Sequence, residues 1–188
     1  MINASGLVGG FAGIFEGGKI ISSKINGSTV ISINNGFVSP VSGAMIGNCT
    51  GGQIIGSSSI HNTVSSISTS YVNSYASGVS GKWMGGKVSD VQSKNNTINS
   101  ISIASAYSSG FFASLDSNST NCSLSNCVSS DNFIMSNSSS SSYTSAVAAS
   151  NSITGEIFFS NFSISNNNII SLSTDSCYSS GLFSSCKI

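Results

Sequence analysis

Short apolar segments, each too brief for a helix, recur along the chain and are separated by turn-forming residues. The first kind follows a Ser-Gly pair, at Ser5-Gly6, Ser42-Gly43, Ser77-Gly78, Ser109-Gly110 and Ser180-Gly181, with Ser145-Ala146 as a variant. These starts lie 37, 35, 32, 36 and 35 residues apart, a period that points to a solenoid, a propeller or an array. A second kind begins at Ile20, Ile54, Val88, Leu124 and Ile157, usually after a glycine-rich turn, and a third at Val30, Val64, Ile98, Ile134 and Ile169. All are rich in Ile, Val, Ser and Thr, and read as short strands.

Residues of one type return at equivalent places. Two positions after each Ser-Gly start stand Leu7, Ala44, Val79, Phe111, Val147 and Leu182. Ser28, Asn62, Asn96, Asn132 and Asn167 precede the third strand, and Ser32, Ser66, Ser100, Ser136 and Ser171 lie two residues into it. Tyr75, Tyr107, Tyr143 and Tyr178 precede the later Ser-Gly starts, with Pro40 in the earlier place. In a parallel solenoid each residue sits about 4.8 Å above its counterpart. Apolar columns then form a core, asparagines bond along the axis, serines satisfy one another and tyrosines stack. The pattern predicts an all-β, right-handed parallel β-helix, since right-handed crossovers dominate between parallel strands. It has three short strands per coil of about 35 residues. One domain spans 1–188, with coils starting near 5, 42, 77, 109, 145 and 180: five full coils and a partial sixth.

Composition narrows the functional classes. The 188 residues include fifty serines, twenty asparagines and twenty glycines, but only twelve charged residues and no arginine. Apolar residues returning in register argue for a folded repeat rather than a disordered polar tract. Zero net charge without arginine argues against nucleic acid and anionic membranes. Serine or glycine interrupts every apolar run before it reaches the length of a membrane span. Residues 1–15 are small and apolar, yet no basic residue precedes them, and Ser5-Gly6-Leu7-Val8 fits the repeat better than a signal peptide.

The runs SGLVGG, GGKIISSKING and NSYASGVSG, within residues 5–105, resemble the GLUG-type repeats of bacterial surface proteins and the wider class of β-helical adhesins and passenger domains. The resemblance implies a secreted or surface-exposed repeat protein, commonly part of a longer one, with no catalytic residue to carry over.

Sharper motifs dissolve into the repeat. Gly13 to Lys19 spells GxxxxGK, but Ile20 stands where a phosphate-binding loop needs Ser or Thr. The pattern returns at Gly81 to Lys87 and, with Gln53 for lysine, at Gly47 to Gln53, so it reads as a turn between strands. His61 is the only histidine and sits at a turn without a partner ligand or nucleophile. Cys49, Cys122, Cys127, Cys177 and Cys186 have neither zinc spacing nor CxxC, and read as unpaired small hydrophobes. Trp83, the only tryptophan, is a candidate carbohydrate-stacking aromatic, weighed against a lid over a coil edge.

The acids Glu16, Asp90, Asp116, Asp131, Glu156 and Asp175 form no evident catalytic pair. Eight Asn-x-Ser/Thr sequons occur, against about six expected from composition under the sequon rule. Asn48, Asn118 and Asn121 are the favoured glycosylation sites, read as turn positions. An ice- or crystal-binding face would need outward Thr-x-Thr ranks, and the nine threonines look scattered. These readings predict a non-catalytic structural or adhesive protein of a cell surface or extracellular matrix, without metal or cofactor. The alternative is a polysaccharide lyase or hydrolase on a β-helix. Carbohydrate or a host surface protein is the expected partner. The chain runs from one first strand to the sixth copy, so either a longer protein or end-to-end self-association is expected.

Overall fold

The computed structural model describes residues 1–117, 122–153, 157–184 and 186–187. All its regular structure is β, and every strand pairing is parallel. The strands stack into five sheets that form a β-solenoid of five coils. Sheet 1 contains Ile2–Ala4, Thr29–Asn34, Thr63–Ser68, Thr97–Ser102, Phe133–Ser138 and Asn168–Ser173. Sheet 2 runs from Leu7–Gly9 through Val41–Gly43, Ser74–Ser77, Ala106–Ser109 and Ser141–Ser145 to Ser176–Ser180. Sheet 3 begins with Ala12–Phe15 and includes Ile46–Cys49, Ser80–Trp83 and Phe112–Ser117. Lys19–Ile21 opens sheet 4 and Lys24–Asn26 opens sheet 5.

Each coil therefore has five strands where three were expected. The strands of sheet 5, Lys24–Asn26, Ser58–Ile60, Gln92–Lys94, Val128–Ser130 and Ser163–Ser165, carry one inward residue each. That column is Ile25, Ser59, Ser93, Ser129 and Ile164, so serine occupies an interior position and no hydrophobic signal marks the strand. Its markers are the flanking corners. Ser22, Asp90, Asn126 and Asn161 adopt positive φ on one side, and His61, Asn95, Asp131 and Asn166 on the other, with Gly56 and Gly27 completing the two columns. The paired corners are always five residues apart, and Asn and Asp tolerate this left-handed conformation better than most side chains.

Registration corrects two of the columns. Leu7 lies under Val41 and the tyrosines, not under Val79. Phe11, Met45, Val79, Phe111, Val147 and Leu182 form the actual column, because Ser5-Gly6 is the corner between sheets 1 and 2. That corner has two residues at 5–6, six at 35–40, five at 69–73, three at 103–105 and two at 139–140, which makes Ser-Gly spacing an unsteady guide. Likewise Leu124 faces Phe159 rather than Ile157. The column Val30, Val64, Ile98, Ile134 and Ile169 holds without a slip.

The corner between sheets 2 and 3 bends into the molecule. A Cβ built on Gly78 would meet the Ser93 Oγ at 2.2 Å, and one on Gly110 the Ser129 Oγ at 2.3 Å. The corner thus touches sheet 5 across the interior, and at Ser93 and Ser129 the space holds a small side chain. On the other side of the bend the outer faces of sheets 2 and 3 close on each other: a Cβ on Gly81 would lie 2.4 Å from Val41 Cγ1. Beyond the pinch, Trp83, Phe112, Leu115, Ile54, Val88, Leu124, Cys49, Cys122 and Cys127 form the apolar core. Between sheets 1 and 2 the interior is lined with hydroxyls. Ser66 donates to the Pro40 carbonyl at 2.8 Å, Ser74 and Ser100 share a bond of 2.5 Å, and Ser108 and Ser136 one of 2.6 Å.

An asparagine ladder secures the corner between sheets 5 and 1. Asn96 Nδ2 donates to the Asn132 Oδ1 (3.1 Å) and to the Ser59 carbonyl (3.0 Å), while its own Oδ1 accepts from the backbone N–H (2.9 Å) and the side-chain amide (3.1 Å) of Asn62. The same bonds recur from Asn132 to Asn167. Replacing Asn96 by Ala leaves several buried groups without partners, and about 3 kcal/mol of stability should be lost. Asn95→Gly, one residue away at an exposed left-handed position, should stay within about 0.5 kcal/mol of the parent. Urea unfolding of the two variants checks the contrast; equal losses would show that the ladder is not specially stabilising.

Candidate functional site

The residues singled out from the sequence do not converge. Trp83 is fully buried on Ser80–Trp83, with its ring 5.2 Å from that of Phe112. It has no face to offer a sugar, which corrects the carbohydrate-stacking reading. A tryptophan in a glycine-rich stretch looked like a loop residue because the strand around it carries only one other large side chain. Asn48 lies on the strand Ile46–Cys49 rather than in a turn, and its Oδ1 is buried without a hydrogen-bond partner. Asn118 and Asn121 fall outside the described residues. Other sequon asparagines are exposed, Asn95 and Asn161 at corners and Asn26 and Asn137 on strands.

The repeated GxxxxGK stretch is a corner between sheets 3 and 4, with Lys19, Gln53 and Lys87 in one column. His61 is an exposed left-handed corner whose Nε2 lies 3.4 Å from Asn95 Nδ2. The carboxylates are spread around the coil. Glu16 is in the corner between sheets 3 and 4 of the first coil, and Asp116 is on sheet 3 three coils later. Asp90 accepts from Asn126 at 3.0 Å, and Asp131 faces Lys94 at 3.8 Å, in different corner columns. Glu156 lies outside the described residues. Among the described residues no group of three His, Cys, Asp or Glu could hold a metal ion. Among the described residues no helix is long and apolar enough to cross a membrane.

Two surfaces are organised. In the cleft between sheets 2 and 3, Tyr75, Tyr107, Tyr143 and Tyr178 stack with ring centroids 4.8, 4.7 and 4.8 Å apart. Lys82 Nζ lies 4.5 Å from the centroid of Tyr75, and burial lowers its pKa, with the nearby Asp116 opposing the shift. Burial also raises Tyr75 and pushes Tyr107 up to about 12.

The second surface is the outer face of sheet 1 and its corner with sheet 2. The Ser32, Ser66, Ser100 and Ser136 column points inward here, so it forms no outward hydroxyl array. Thr29, Thr63 and Thr97 do stack in register at the outward edge, followed by Phe133 and Asn168. A groove of about 410 Å³ lies at the opposite ends of these strands, with Ile67, Ile101 and Asn137 in one column and Thr69, Ile103 and Thr174 at the corner. Sequence reasoning missed this groove. Its signal was the fifth residue of each long strand, Ile33, Ile67 and Ile101, which strand alternation places outside.

Comparison with protein-family models, with curated proteins and with solved structures found no match.

The thiols give a test of this burial. Burial pushes Cys49 up to about 12 and Cys127 up to about 11, both from 9.0. Native Cys49 and Cys127 remain protonated where the unfolded chain ionises. Stability is therefore intact below pH 9 and falls as pH rises through the window between 9.0 and the folded values. Melting temperatures measured from neutral to strongly alkaline pH should drop above that lower bound, and the drop should be shallower in Cys49→Ala and Cys127→Ala. Thiol-reactive dye at neutral pH should label exposed Cys177 while sparing Cys49 and Cys127. Rapid native labelling of either buried thiol would contradict the packing.

Proposed function

We propose that this chain is a non-catalytic structural or adhesive repeat protein of a cell surface or extracellular matrix, of the GLUG-like adhesin kind. The observation that carries this reading is the continuity of its ladders. Asparagine, serine and tyrosine columns pass from coil to coil without a break for a specialised constellation. The buried polar side chains mostly hold backbone in place, and variation is left to corners and outward faces. A rigid rod with variable corners suits presentation and attachment. The dispersed carboxylates also favour it over the polysaccharide-cleaving alternative, which needs an opposed pair.

The test is functional display. Beads or non-adherent cells carrying the chain should attach to host cells or matrix above an unrelated β-rich control. Purified protein should release neither reducing ends nor unsaturated uronates from a polysaccharide panel. Release abolished by changing one acidic residue would establish the enzyme instead.

Self-association belongs to the same reading. The column of Phe11, Met45, Val79, Phe111, Val147 and Leu182 has both ends open to solvent, Phe11 and Leu182 each being 42% exposed. The first and last coils also leave strand edges without a ladder partner among the described residues. Head-to-tail stacking places Leu182 of one copy against Phe11 of the next and continues all the sheets. Sedimentation should give species larger than the 19.1 kDa chain, and Leu182→Glu or Phe11→Glu should shift them toward monomer. A concentration-independent monomer would rule the stacking out.

A further inference from the structure

We propose that the groove at the corner of sheets 1 and 2 binds a neutral, linear oligosaccharide lying along the solenoid axis. This rests on the adhesive reading and gives it a site and a ligand class. The groove passes along four successive coils, from Ile67 and Thr69 through Ile101 and Ile103 and Asn137 and Ser139 to Thr174. Its volume of about 410 Å³ lies within the range of about 300–1,000 Å³ common for ligand sites.

Its chemistry is selective. The isoleucines give an apolar floor for the C–H faces of sugar rings, and Asn137, Thr69 and Ser139 hold amide and hydroxyl groups at the rim for sugar hydroxyls. Those three side chains are exposed. No lining residue is charged. All six lysines lie on sheets 3, 4 and 5, and Asp175 is the one charged residue in the corners between sheets 1 and 2. An acidic glycan or a nucleic acid finds no cation here, and Asp175 repels both.

A separate observation concerns aromatic exposure. The corner loops of the first two coils project Phe37 (99% exposed) and Tyr71 (87% exposed) into solvent at this same edge. The Ser70 hydroxyl donates to the Gly36 carbonyl and ties the two loops together. Large exposed aromatics in line with an uncharged groove offer stacking platforms for pyranose rings. Ile67, Ile101 and Asn137 stand in strict register, so one outward position recurs every coil, about 4.8 Å apart, apolar in two coils and an amide in the third. That spacing suits a polymer that repeats at each monosaccharide.

Calorimetry on the full chain should use cellohexaose, laminarihexaose, mannohexaose and chitohexaose, with hexagalacturonate as the acidic comparison. At least one neutral hexaose should bind, with little salt dependence, and hexagalacturonate should not. Ile101→Glu in the floor should abolish binding, and Tyr71→Ala and Asn137→Ala should each weaken it about tenfold. The last two are exposed changes that keep the fold, so they decide the matter if Ile101→Glu unfolds the chain. Neutral-glycan binding undiminished in Tyr71→Ala and Asn137→Ala overturns the groove assignment, as does preference for the acidic hexaose. If no neutral hexaose binds while displayed chain still adheres, the groove proposal fails and the adhesive reading stands. Loss of both adhesion and binding removes both.

Discussion

The structure depends on keeping every coil in axial register, and the buried asparagine ladder enforces that constraint most directly. A parallel sheet by itself tolerates a shift of two residues, since the inward and outward faces are preserved. The Asn62–Asn96–Asn132–Asn167 ladder does not. Asn62, Asn96 and Asn132 each donate to the amide of the following coil and to a backbone carbonyl of the preceding one, and Asn167 donates to the Ser129 carbonyl. A slipped coil would leave these groups buried and unpaired, at a cost of about 1–3 kcal/mol apiece. The ladder sits immediately before sheet 1, whose long strands show the steadiest columns in the molecule. Corner lengths elsewhere vary, but the asparagines remain 34, 36 and 35 residues apart.

The inward corner between sheets 2 and 3 accounts for much of the composition. Because Gly78 and Gly110 approach Ser93 and Ser129, a round section with one apolar core is not available. Apolar bulk gathers on the side of sheets 3 and 4, around Trp83 and Phe112. The narrow space toward sheet 2 is closed by hydroxyls, which are short enough to fit and can bond to carbonyls at the corners or within sheet 1. Serine is abundant because the cross-section calls for a small side chain; the hydroxyls of Ser42, Ser66 and Ser129 also bond to carbonyls, whereas those of Ser77, Ser109, Ser145 and Ser180 are buried without a partner.

The parts of this fold visible in the sequence were those where chemical identity repeats at fixed spacing. The asparagine, sheet 1 serine and tyrosine columns were legible because each has one role per coil. Val30, Val64 and Ile98 were legible for the same reason. Leu7 and Ile157 were misplaced because glycine-rich pairs recur at more than one corner, and corner insertions change the distance to them. Sheet 5 was hidden because its inward serine looks like a solvent-facing one. Its corners were written in Asp90, Asn95, Asn126 and Asp131, whose five-residue spacing reflects a left-handed residue at each end of a three-residue strand. Trp83 misled because local composition does not report how a strand faces a core assembled from distant coils.

The same constraint decides where binding chemistry can reside. Inward positions are fixed by packing and by ladders, so a residue changed for a ligand there would disturb its neighbours above and below. The cleft between sheets 2 and 3 is also committed: its tyrosines stack face to face along the axis, and Lys82 sits over the ring of Tyr75. Corners between sheets 4, 5 and 1 need left-handed residues, which limits their side chains mainly to Asn, Asp and Gly. The corner between sheets 1 and 2 has neither restriction. It ranges from two to six residues without disturbing the register on either side, and it holds Phe37 and Tyr71 together with the outward isoleucines of sheet 1. Variation that costs the scaffold little accumulates there, and that freedom makes the corner the place where a repeat built for rigidity can acquire specificity.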